Sequence, residues 1–227
     1  MHLVIISGAA RPPIKSNTAK IITAFCKGFQ DEGNTAEVWY LSDRKQWERA
    51  RTAFLENSNI LFAVPLYVEN VPGIMLEFLE RLPQKDQPDT RISFILQGGF
   101  PEVSQSRCCE KFLETLPEQL GCLYGGTLIK GDMFGVSLLG ERIGTKLVQP
   151  FTDMGRKFGK CGCFEAECVA LFSAPEYLSE KQIRSFYGLR KYFQRWFMRF
   201  VARRLGCKEG LDARPYEEGK GNYNEFK

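Results

Sequence analysis

Residues 3–18 read LVIISGAARPPIKSNT. Leu3, Val4, Ile5 and Ile6 form an unbroken apolar block, the pattern of a strand buried on both faces of a parallel sheet. From Ser7 the composition turns polar and proline-rich, and beyond it Ile21, Ile22, Phe25 and Phe29 recur at helical spacing. The stretch is a strand, a polar loop and a helix start. The first N–H groups of a helix lack partners within it and carry the positive end of the macrodipole, so an anion is favoured there. Ser16, Asn17 and Thr18 offer cap-type side chains and Arg11 and Lys15 offer charge, a set able to grip a phosphate. An ordinary capped helix shows the same local pattern, and the rest of the chain has to decide.

Residues 35–41 (TAEVWYL), 59–64 (NILFAV), 91–96 (RISFIL) and 123–130 read as four more strands, separated by segments of helical periodicity. Pro150 is expected to kink the helix that carries Ile143, Leu147, Phe151, Met154 and Phe158. Five strands alternating with helices imply a doubly wound parallel sheet with right-handed crossovers. No G-x-G-x-x-G follows the first strand, so the dinucleotide fingerprint is missing. The other common order, 2-1-3-4-5, binds its ligand beyond the carboxyl ends of strands 1 and 3. Loops 7–18, 65–73 and 97–102 then become neighbours. The last two join glycine and proline to an aromatic, giving two stiff walls beside one anion cradle, a shape suited to a phosphate joined to a flat ring.

The chain has 227 residues, 44% of them hydrophobic and 26% charged, which fits a globular α/β domain. Residues 1–160 are expected to form that domain and residues 161–227 a C-terminal extension. No apolar run reaches membrane-spanning length and the leading apolar block is too short for a signal peptide, so the cytoplasm is expected. The eight cysteines then read as reduced thiols. Cys161, Cys163 and Cys168 cluster in sequence but lack a nearby fourth ligand, and the only histidine is His2, so no metal site is expected and histidine-based catalysis is disfavoured.

The strand-1 loop with Ser7, Arg11 and Ser16-Asn17-Thr18, together with Pro65-Leu66-Tyr67 after strand 3, resembles the flavodoxin-like NAD(P)H-dependent FMN reductase and quinone reductase families over residues 3–160. The resemblance implies a flavodoxin-like sheet holding FMN. Ser7, Arg11, Ser16, Asn17 and Thr18 would bind its phosphate, while Pro65, Leu66, Tyr67 and Val68, with Gln97, Gly98, Gly99 and Phe100, would hold its ring. The Gly98 and Gly99 N–H groups would face the pyrimidine edge, and Tyr67 and Phe100 would stack or gate, unless they serve in plain loop packing. It also implies hydride transfer from NADH or NADPH to a quinone, flavin or similar small acceptor with no catalytic protein nucleophile, and a homodimer. A non-enzymatic electron carrier of the same fold is the alternative. Ala9-Ala10 and Val68-Glu69-Asn70 depart from the family pattern, and no compact iron–sulfur cysteine motif is present.

Residues 181–227 hold 12 Lys/Arg against 5 Asp/Glu, net +7, so the rest of the chain carries −3. Residues 180–205 place Ile183, Phe186, Leu189, Phe193, Trp196, Phe197 and Phe200 along one stripe, a basic amphipathic helix. Packing on its own domain or on a partner subunit is the first reading. Weak contact with an anionic membrane surface is the second, and nucleic acid is not expected. Residues 206–227 are Gly- and charge-rich, consistent with a mobile tail or a strap over the cleft.

Overall fold

A computed structural model describes residues 1–87, 89–187 and 190–207. The expectation for the tail therefore falls, from residue 208 on, outside the described residues. Five parallel strands, β1 (His2–Ser7), β2 (Thr35–Tyr40), β3 (Asn59–Pro65), β4 (Arg91–Gln97) and β5 (Leu123–Lys130), form one sheet in the order β2-β1-β3-β4-β5. This is the order the loop chemistry implied.

The alternation of side chains along each strand divides the core in two. Leu3 and Ile5, with Leu61, Ala63 and Ile95, pack against Phe25 and Phe29 of α1 (Asn17–Asp31) and Phe151 and Phe158 of α6 (Glu141–Cys161). Val4, Ile6, Phe62 and Phe94 face the other way, toward Trp47 and Phe54 of α2 (Trp47–Glu56), Phe78 of α3 (Gly73–Leu79) and Leu113 of α4 (Arg107–Gln119). Burial of each such side chain stabilises the fold by roughly 1.5–3 kcal/mol. Because both faces of the central strands β1, β3 and β4 are covered, these read as continuous apolar runs and not as alternating ones.

Helices α1 and α6 approach closely through glycine. A Cβ at Gly28 would run into the Thr152 carbonyl, and one at Gly155 into the Phe25 carbonyl. Pro150 does not end α6, which continues to Cys161 and closes on Gly162 in the left-handed region. The short α5 (Gly135–Leu138) precedes it.

Beyond α6 the chain crosses the outer edge of the sheet as α7 (Ala166–Ser173). Phe164 N–H donates to the Gly125 carbonyl (2.9 Å) and Ser173 Oγ to the Ile129 carbonyl (2.9 Å), both on β5. The compact unit so formed is Met1–Tyr177, and the chain from Leu178 on is a second unit. The helical pattern over 180–205 is realised there as α8 (Glu180–Tyr187) and α9 (Arg190–Arg204), on either side of residues 188–189. Leu189 and the Phe186 side chain lie outside the described residues.

Candidate functional site

The carboxyl ends of β1, β3 and β4 lie side by side, and the backbone binds the start of each loop to the next. Gly8 N–H donates to the Ala63 carbonyl (2.9 Å) and Leu66 N–H to the Gln97 carbonyl (2.8 Å). The three loops singled out by sequence therefore open at one edge.

The first loop leaves β1 at Ser7 and passes through a 3-10 turn over Pro13–Lys15 before α1 begins. Ser16 is the N-cap: its Oγ accepts the Ala19 N–H (3.3 Å). Ser16 and Thr18 are buried, Asn17 is half-buried, and Arg11 and Lys15 are exposed. Ser7 shares the strand face of Leu3 and Ile5, the face that α1 covers. Its Oγ is buried and has no hydrogen-bond partner, one of three such side-chain atoms among the described residues. A buried hydroxyl without a partner is costly, and at a helix start an acceptor-rich group would satisfy it.

Asn17 does not stand open to a ligand as the sequence suggested. Its Nδ2 donates to the Met133 carbonyl (2.9 Å) and its Oδ1 accepts the Ser137 hydroxyl. The residue is a clamp between the phosphate-type loop and the turn behind β5.

The second loop holds a tight hairpin that the sequence did not announce. Tyr67 N–H donates to the Asn70 carbonyl (2.8 Å) and Asn70 N–H to the Tyr67 carbonyl (3.1 Å). Val68 and Glu69 between them have φ of +48° and +62°, as in a type I′ turn. Neither carries the Asn-Gly signature of that turn. Pro65 is buried and Leu66 half-buried, whereas Tyr67 is exposed and Val68, 98% exposed, is the tip.

In the third loop Gln97 and Gly98 are buried while Gly99 and Phe100 are exposed. The Gly98 N–H does not face a ligand as expected, because it extends the ladder to the Lys130 carbonyl (2.9 Å). The Gly98 carbonyl accepts the Met133 N–H (3.0 Å) and the Phe100 carbonyl accepts the Asp132 N–H (2.8 Å). The turn behind β5 is thus a fourth wall. Its place beside the first loop depends on Met133 and Ser137 meeting Asn17. From outside, Arg107 of α4 forks onto the Glu176 carboxylate (Nε to Oε1, 3.0 Å) and also pairs with Glu110 (2.6 Å), holding residues 174–177 against the start of α4. These bonds keep the Glu176 carboxyl below its ordinary range.

A half-buried Lys130 and an exposed Asp132 flank the fourth wall. Lys130 Nζ donates to the Phe172 carbonyl (2.7 Å) and sits over that ring, and burial pulls its pKa down, partly offset by Asp132. Burial pushes the Asp132 carboxyl up. Exposed rings of Tyr67, Phe100 and Phe134 leave an apolar rim around the loop edge. Concavities elsewhere, one of about 460 Å³ beside β2 lined by Cys26 and Tyr40 and one of about 360 Å³ between α1 and α6, include no residue of the three loops. Among the described residues no group of three His, Cys, Asp or Glu side chains is placed to hold a metal ion.

No family model and no curated protein matches the sequence. Solved structures do match. An azoreductase from Bacillus anthracis str. Sterne aligns with TM-score 0.50 and 14% identity over 69% of this chain and 99% of its own. An NADH:FMN oxidoreductase in its apo form aligns with TM-score 0.54 and 18% identity, over 74% and 93%. An NAD(P)H:quinone oxidoreductase from Methanothermobacter marburgensis gives 0.53 and 15%, over 73% and 97%. The fold is flavodoxin-like. Alignments at identities this low show the architecture alone, and in that strand order the edge where β1 and β3 end is the topological switch point.

Proposed function

We propose that the chain is an FMN-dependent oxidoreductase that passes a hydride from NADH or NADPH to a quinone, a flavin or a similar small acceptor, and that it works as a homodimer. The observation that carries this reading is the buried, partnerless Ser7 hydroxyl at the one edge where a helix start and two Gly/Pro/aromatic loops converge. A phosphate there would take up the Ser7 hydroxyl, the first N–H groups of α1 and the Thr18 side chain, with Arg11 closing from solvent. Asn17 would act by fixing the loop against Met133, with its remaining amide proton toward the anion. Pro65, Leu66, Tyr67 and Val68 would form one wall for a flat ring and Gln97, Gly98, Gly99 and Phe100 the other, with Gly99 taking the pyrimidine-edge role that Gly98 cannot.

FMN, when bound, supplies the hydride chemistry. The protein's own groups bind and orient it, and no side chain is required as a nucleophile. The exposed rings of Tyr67, Phe100 and Phe134 suit either acceptor stacking or a partner subunit. Similarity to reductases named for NADH, FMN and quinone supports the same class.

The test is titration of the purified chain with FMN followed by flavin fluorescence, then steady-state NADH and NADPH oxidation against a panel of quinones. Stoichiometric flavin uptake and turnover are expected. Uptake without turnover would make the protein a carrier, and no uptake would end the flavin reading.

A further inference from the structure

We propose that α9 is an interfacial helix that lays this protein on membranes rich in anionic lipid, a role independent of the flavin reading. Residues 190–204 contain six Lys/Arg and no Asp or Glu. Phe193, Trp196 and Phe200, spaced i, i+3, i+7, form one row on this helix, and they are 60%, 61% and 42% exposed. Their rings follow one another at 5.8 Å and 6.2 Å, so the row is an organised apolar strip and not three scattered side chains. Arg195, Arg199 and Arg203, all exposed and spaced by four, form the adjoining row.

An aromatic row beside an arginine row is the division of labour a bilayer surface rewards: rings enter the headgroup and acyl boundary while guanidinium groups meet lipid phosphates. The helix lies on such a surface and does not cross it, since among the described residues no helix is long and apolar enough to span. A second copy of α9 is a poor occupant, because two helices with six cations and no anions repel. Single-stranded nucleic acid is also less suited, because Trp196 and Phe200 already stack on each other at 15° and offer bases fewer open ring faces.

The experiment uses the full chain with vesicles of pure phosphatidylcholine and of phosphatidylcholine containing about a third phosphatidylserine. Co-sedimentation should be at least tenfold stronger with the anionic vesicles and should weaken as salt is raised. The triple change R195Q/R199Q/R203Q should remove most of that preference, and W196A/F200A should cut anionic binding about tenfold. Flavin titration or circular dichroism of each variant reports that the remainder stays folded. Equal binding by the arginine variant and the parent, or no vesicle binding, overturns the proposal. So does tighter binding to a single-stranded oligonucleotide than to vesicles, or self-association in sedimentation velocity that W196A/F200A abolishes.

Discussion

The side-chain amide of Asn17 stands 2.9 Å from the carbonyl of Met133, joining the first residue of α1 to the turn that follows β5. A residue that sequence suggests as a ligand for phosphate is therefore also the link that sets the width of the crevice. Replacing Asn17 with Ala removes the link and should cost about 1 kcal/mol of stability. Asn17→Asp should weaken FMN binding further than Ala does, because a carboxylate would then face both the Met133 carbonyl and the phosphate. Thermal melts and flavin titration of the two variants check this order.

Ser7→Ala should separate stability from binding. The Ser7 hydroxyl is buried without a partner, so its removal should leave the free protein as stable as before or up to about 1 kcal/mol more stable. The same change should weaken FMN binding by about tenfold, the loss of one hydrogen bond to a charged group. Calorimetry of the free protein and a flavin titration read the two opposite signs.

At the α1–α6 contact, Gly28→Ala or Gly155→Ala forces the helices apart against a carbonyl. Each should destabilise by about 1–3 kcal/mol and lower the melting temperature by several degrees. Gly73→Ala is the control. Nothing lies within 4 Å of its added methyl group and its φ is not positive, so it should be neutral or slightly stabilising.

Val68 is a β-branched residue at φ +48°, a conformation that carries strain. Val68→Asn with Glu69→Gly installs the residues a type I′ turn prefers and should stabilise by about 1 kcal/mol. Chemical denaturation measures the gain. If the strain serves the ring wall, turnover with a quinone will fall in the same variant.

Cys109 is buried, and burial pushes its thiol up to about 12 from 9.0, with Cys108 and Glu110 acting in the same direction. The unfolded chain loses that proton first, so above its pKa the folded chain binds more protons than the unfolded one. The thiol's contribution is fully present below pH 9 and is lost as the pH rises toward 12, at up to about 1.4 kcal/mol per pH unit. Urea unfolding between about pH 8 and 10.5 should show that fall, and Cys109→Ala should make it shallower, leaving the part that half-buried Cys26, raised to about 11, contributes.

Much of the architecture is written in short apolar runs. Leu3-Val4-Ile5-Ile6 and its counterparts in β3 and β4 must be covered on both faces, and that need leaves few topologies. The convergence of three loops then follows from strand order. What escaped was tertiary. The Asn17–Met133 link joins residues 116 apart in sequence, and nothing at either position announces it. The Val68–Glu69 turn lacks its usual residues, so local chemistry gave no sign of it. Ladder pairing with Lys130, which no loop composition encodes, took the Gly98 N–H from the crevice. Amphipathic periodicity in 180–205 was plain, yet such a pattern is the same whether the apolar row is covered or, as for Trp196, open to solvent.

The crossing of β5 by Phe164 and Ser173 has a consequence for assembly. With that margin sealed, Thr35–Tyr40 is the one flank at which an extra strand can pair among the described residues. A body with a single adhesive side can join one neighbour and is then exhausted. Growth into a fibre needs two such sides, and this sheet retains one.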